Sequence, residues 1–200
     1  MGVPIDIPLE LVEQITKGNC VLFLGWTDDV IDTINQQAYT ISEQIVAQRL
    51  AARIKYPKPL ASLSDVAEYF EAESSRRSLI QYVCDVIDEY NHQLPAYYLT
   101  ITNLPFNIIV STSLDNFLPR ILREQGKRHT LIVCDEEVSF IDDDKLLVVK
   151  LYGDVDHKAS LVLTREDFVA FTEQLPNLSD LLKYYFRTKN AFGNGAILRF

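Results

Sequence analysis

The sequence predicts an α/β fold, doubly wound around a mostly parallel sheet in the Rossmann-like manner. Three observations predict it. Apolar runs of strand length stand at Cys20–Leu24, Ile108–Thr112 and Leu146–Leu151, with no polar alternation across most of their length. That pattern fits strands buried on both faces. Segments with an apolar residue every four positions lie between these runs, so strands and helices alternate. Helix-capping signatures mark several of the junctions.

Taken in order, Ile7, Leu11 and Ile15 form the stripe of a first helix that stops at Gly18, followed by the strand Cys20–Leu24. Thr40 with Glu43 three residues on predicts the start of a second helix, whose stripe is Val46, Leu50 and Ile54 and which Pro57 and Pro59 end. Ser64 is expected to cap a short helix holding Val66, Tyr69 and Phe70, and Leu79, Val83 and Ile87 define the next. After Leu104-Pro105-Phe106 comes the strand at Ile108, then a helix from Leu114 to about Gln125. Leu131–Val133 and Leu146–Leu151 read as strands separated by a solvated acidic loop, Asp135 to Asp144. A short strand is expected at Leu161–Leu163. A helix capped by Thr164 with Asp167 follows, then one built on Leu181, Leu182 and Tyr185. No internal repeat or low-complexity tract interrupts the order.

Two hundred residues, 48% of them apolar, suffice for one large core and not for two, which predicts a single domain over 1–200. The apolar runs are far shorter than the ~20 residues of a membrane-spanning helix. Met1 to Asp6 lacks both the basic and the apolar region of a secretory signal, so a cytoplasmic location is expected. Cys20, Cys84 and Cys134 are widely spaced in apolar surroundings, which reads as buried thiols, with no metal site and no disulfide framework. A net charge of −9 argues against direct binding to a phosphate backbone.

Four stretches, in the same order, resemble the sirtuin-like NAD-binding domains of bacterial and archaeal defence and signalling proteins. Val21-Leu22-Phe23-Leu24-Gly25 is similar to the strand that enters the family's Gly-Ala-Gly phosphate loop. Leu104-Pro105-Phe106 with Ile108 to Asp115 resembles Leu-Pro-Phe followed by a strand ending in Thr-Thr-Asn-Tyr-Asp. Val149 to Asp154 matches Lys-Leu-His-Gly-Asp except at Tyr152. Leu161-Val162-Leu163-Thr164 with Asp167-Phe168 is close to Leu-Val-Leu-Thr-x-x-Asp-Tyr. The likeness runs from about 8 to 175, and Phe192-Gly193-Asn194-Gly195 resembles a later turn near the adenine ribose. It implies a cofactor-binding edge at Gly25, Trp26, Thr27, Asp29, Ser113, Asp115 and Gly193. It also implies that a complete sheet continues past Gly193, so the fold is expected to be incomplete at its C-terminus.

The departures from the family fall on the residues that carry its chemistry. The glycine loop lets backbone N–H groups approach a pyrophosphate at a helix N-terminus. Here Trp26 and Thr27 add bulk after Gly25, and Asp29 stands where the family has Ser. A carboxylate ~4 Å from a phosphate costs about 4 kcal/mol at an effective dielectric near 20. The alternative reading of Asp28 and Asp29 is that one of them caps the next helix. Ser113 takes the place of an Asn whose carboxamide can both donate and accept at the nicotinamide ribose. Asp115 is retained, as a ligand or as a helix cap. Tyr152 replaces the histidine that would serve as general base, and roughly one tyrosine in a thousand is ionised at neutral pH. His92, His129 and His157 read as surface residues.

These substitutions lead to the expectation of a domain without catalytic residues at Ser113, Asp115 and Tyr152. It would serve as an interaction or sensing module of a larger prokaryotic assembly. Its expected partners are a protein, further domains of the same polypeptide, or a second copy of the chain. No cofactor is expected, with NAD or ADP-ribose the ligand should the pocket survive. Two alternatives stand beside this one. The first is an NAD glycohydrolase or related NAD-consuming enzyme using rearranged residues such as Tyr152, Asp115 and His157; the second is a binder of another nucleotide or small molecule with Trp26 as a stacking surface.

Overall fold

The computed structural model describes residues 9–26, 41–57, 62–90, 96–193 and 196–198. Six strands, β1 Cys20–Leu24, β2 Ile108–Ser111, β3 His129–Ile132, β4 Leu146–Lys150, β5 Asn190–Gly193 and β6 Ala196–Leu198, form one sheet in the order β3-β4-β2-β1-β5-β6. All neighbours are parallel except β5 and β6, which pair antiparallel. The three expected central strands are central, and β1, β2 and β4 are nearly all buried.

Eight helices are described: α1 Leu9–Thr16, α2 Glu43–Ile54, α3 Leu63–Glu73, α4 Arg76–Tyr90, α5 Ala96–Asn103, α6 Phe117–Glu124, α7 Arg165–Gln174 and α8 Pro176–Thr188. Successive strand residues point to opposite faces of the sheet, and the core divides accordingly. Cys20, Leu22, Leu24, Ile109 and Val148 face α1, α5 and α6. Val21, Ile108, Val110, Leu147 and Val149 face Leu178 and Leu182 of α8. The architecture is therefore α/β, Rossmann-like and wound on both faces. A third cluster joins α2, α3 and α4 to Leu114, Val155, Leu161 and Leu163, which lie in the loops after β2 and β4. No helix of the described residues is long and apolar enough to cross a membrane.

α1 ends as the glycine predicts: Gly18 has φ 69° and its N–H donates to the Ile15 carbonyl at 2.9 Å. Ile7, Thr40 and Pro59 lie outside the described residues. The cap of α2 is Ser42, whose hydroxyl accepts from the Ile45 N–H, rather than Thr40. Likewise Ser62, not Ser64, caps α3 by accepting from Asp65 N–H, and the Ser64 hydroxyl instead lies 3.1 Å from that of Ser62. Thr164 and Asp167 form the expected capping box of α7.

Three further expectations are corrected. Leu161–Leu163 is not a strand. Val162 N–H donates to the Tyr152 carbonyl and Leu163 N–H to the Asp167 carboxylate, so these donors are taken by a loop and a cap instead of a ladder. The acidic stretch is not a plain solvated loop, since Asp135–Phe140 is a 3-10 helix. The Glu137 carboxylate accepts from Val133 and Cys134, and that of Asp135 accepts from Leu178 and Asn177. α6 begins at Phe117, three residues after Leu114, because residues 112–116 form the turn at the carboxyl end of β2.

Candidate functional site at the carboxyl edge of the sheet

β1 is flanked by β2 on one side and β5 on the other, so the chain reverses its direction of travel across the sheet at β1. In open α/β sheets such a reversal leaves a crevice outside the carboxyl ends of the strands. The pairings Leu24 with Ser111, Ser111 with Lys150 and Phe23 with Gly193 bring four strand ends to one edge. Gly25, Trp26, Ser113, Asp115, Tyr152 and Gly193 therefore lie together at or just beyond it. Thr27 and Asp29 fall outside the described residues.

Trp26 is fixed at both ends. Its backbone N–H donates to the Thr112 hydroxyl at 2.9 Å and its indole N–H to the Ile41 carbonyl at 2.7 Å. The ring packs on the α2–α4 cluster, as does Tyr152. Tyr152 meets Phe168 edge-on with centroids 4.9 Å apart. Burial, and then the Glu43 carboxylate, push its phenol above the ordinary value. Trp26, Tyr152, Phe168, Glu43 and Thr112 help to line a cavity of about 40 Å³. Gly25 has a negative φ, and a Cβ there would meet nothing within 4 Å.

Ser113 and Asp115 are buried and turned inward. Ser113 Oγ lies 2.9 Å from Ser111 Oγ and accepts from Lys150 Nζ at 3.2 Å. Asp115 Oδ1 accepts the Phe117 N–H at 3.0 Å at the start of α6, and its backbone carbonyl accepts a close bond from Lys150 Nζ. The centre of this knot is Lys150, fully buried, whose ammonium also lies 3.5 Å from Asp154 Oδ2. Burial pushes the Asp154 carboxyl up, against the opposing pull of Lys150. Asp154 Oδ1 accepts from Asp156 N–H, and its own N–H donates to Ser160 Oγ. Gly153 between them has φ 85°, and a Cβ there would overlap the Ser160 carbonyl.

Lys150 was missed by reasoning from sequence alone. A lysine closing an apolar run reads as a strand end reaching water, and the available signal was its spacing of four from Asp154 across a glycine. His157 lies on the rim of a different cavity, described below, and is not among the residues lining the one that holds Trp26 and Tyr152.

No curated protein matches the chain. Three of the four stretches that carry the likeness drawn from the sequence fall wholly or mostly in one segment. Residues 107–193, which run from β2 to β5, match the family model of the SIR2-like domain, so this part of the chain is similar to that family.

Proposed function

We propose that the chain is a non-catalytic SIR2-like domain, an interaction or sensing module of a larger prokaryotic defence or signalling assembly in the cytoplasm. Its binding partner is a protein, and it uses no cofactor. The observation that carries this reading is Tyr152. By the resemblance it stands where the family has its general base, and its phenol is displaced upward by burial and by Glu43, away from the near-neutral value that proton transfer needs. Two features lend further support. The Ser113 hydroxyl and the Asp115 carboxylate are engaged in internal hydrogen bonds, and the cavity beside Trp26 is small against the roughly 300–1,000 Å³ of small-molecule sites. The assembly class comes from the resemblance.

The test is isothermal titration of the purified protein with NAD and with ADP-ribose, together with an assay for released nicotinamide. Neither heat of binding nor nicotinamide is expected. Nicotinamide release that vanishes in Tyr152→Phe would overturn the proposal, because the tyrosine would then be serving the chemistry.

A further inference from the structure

We propose that the cavity of about 420 Å³ behind the loop that follows β4 binds a compact organic anion, with an apolar body on the floor and its charge at the rim. This goes beyond the reading given above, since the cavity is separate from the one at Trp26. Its volume falls within the range of small-molecule sites. Val133 and Leu161 supply a buried apolar floor, and Val162 and Leu175 add apolar wall.

The rim carries the other half of the argument. His157, Lys158 and Gln174 are exposed around the opening. Lys158 Nζ makes one hydrogen bond, to the neutral Gln81 Oε1 at 3.2 Å, and has no carboxylate within 4 Å among the described residues. In a chain of net charge −9 this cation has no paired carboxylate among the described residues. Neither the His157 ring nor the Gln174 carboxamide has a hydrogen-bond partner among the described residues, so both can be offered to a ligand. The carboxylate of Asp167, which also lines the cavity, is already matched by the Arg76 guanidinium at 2.7 Å and by the Leu163 and Thr164 N–H groups. Arg76 is shared between Asp167 and Glu71, so the charge offered at the opening is that of Lys158, positive and peripheral, and the depth is apolar. A small carboxylate with an aromatic or aliphatic body complements both.

The cavity also touches the candidate site from behind. Val162 lines both cavities, and its N–H donates to the Tyr152 carbonyl at 3.1 Å. A ligand that shifts Val162 therefore acts on the backbone of Tyr152, and a sensing domain could be driven through this contact.

The experiment titrates phenylacetate, and its neutral isostere phenylacetamide, into the isotopically labelled full chain and follows the amide resonances. Phenylacetate is expected to produce saturable shifts at Lys158, Leu161 and Val162 with millimolar affinity, and the amide to bind at least threefold more weakly. Lys158→Met should weaken phenylacetate by a similar factor. Ala159→Trp, which closes the mouth from an exposed position, should abolish the shifts while leaving the melting temperature in place. Shifts that never saturate, or that persist unchanged in folded Ala159→Trp, overturn the proposal. Equal binding of the two probes overturns its anionic part. None of these outcomes depends on whether NAD binds, so failure here is distinct from failure of the proposed function.

Discussion

Replacing Lys150 with Met tests whether the buried ammonium holds the carboxyl edge together. Met is close in length and apolar, so the change removes charge and hydrogen bonding more than volume. In the native chain the ammonium contacts Ser113 Oγ, the Asp115 carbonyl and the Asp154 carboxylate, with Lys150 fully buried and Asp154 0% exposed. Breaking a buried pair from one side costs about 3–5 kcal/mol, because the remaining charge is left unmatched. Asp154 can escape by taking up a proton. Carrying a carboxyl with an unfolded pKa near 3.9 as the neutral acid at pH 7 costs about 1.36 kcal/mol per pH unit, roughly 4 kcal/mol. The two figures agree.

The sign follows from the direction of the shift. Asp154 already has a raised pKa, and loss of Lys150 raises it further. Its contribution is fully favourable below the unfolded carboxyl value and is lost as pH rises through the folded one. Because the parent's Asp154 is itself raised, the deficit of Lys150→Met against the parent is expected to be at most about 4 kcal/mol at pH 7 and at most about 1.5 kcal/mol at pH 5. The second change Asp154→Asn should recover most of the pH 7 deficit. Urea unfolding of the parent, both single variants and the double variant at the two pH values measures all of this. A deficit under about 1 kcal/mol at pH 7, or one that is flat from pH 5 to 7, would refute the account, for Lys150 would then be neither matched to Asp154 nor buried in effect.

Gly153→Ala should cost roughly 2–3 kcal/mol, from an L-residue held at positive φ and from loss of the Asp154 N–H bond to Ser160 Oγ as the loop opens. Gly25→Ala should stay within about 0.5 kcal/mol of the parent, and thermal melts that failed to separate the two would refute the contrast. Asp167 is lowered: burial pushes it up, but the Thr164 and Leu163 N–H groups and then Arg76 outweigh burial. Its stabilisation is present above the unfolded carboxyl value and lost as pH falls through the lower folded one. Asp167→Asn is expected to cost about 1–2 kcal/mol at pH 7, discounted for partial exposure, with the two stability curves converging in acid.

The central strands were legible because burial on both faces leaves no room for polar residues. The sequence shows this as continuous apolar runs, so β1 lies where its run predicts it and β2 and β4 each end one residue early. The edge strand β3 starts two residues earlier than its apolar run, since its ladder with β4 includes His129 and Thr130 and pairing by the backbone does not require an apolar side chain. Caps were legible where a single hydroxyl was available, as at Thr164. At Ser62 and Ser64 two were available, and the choice depends on which one reaches the Asp65 N–H. α5 was not foreseen; Ala96–Asn103 has little one-sided apolar character, although Tyr98 packs with Phe117 at 6.0 Å.

At the candidate site the sequence offered a set of residue types to compare with the family it resembles, but not what those residues hold on to. Along β4 and its turn, Lys150 and Asp154 are wholly buried, whereas Tyr152 between them is half-buried and turned toward Trp26 and Phe168. The residues that fix the loop and the residue that faces the cavity thus alternate along one short segment. Gly153 supplies the positive φ that allows the alternation to continue past the strand end. A change at position 152 alters the surface of the cavity, while Lys150 contacts Ser113, Asp115 and Asp154, none of which lines it. The scaffold of this edge and the groups that would perform chemistry on it are therefore physically separable. That separation lets the segment similar to the SIR2-like family hold its fold whatever side chain stands at position 152.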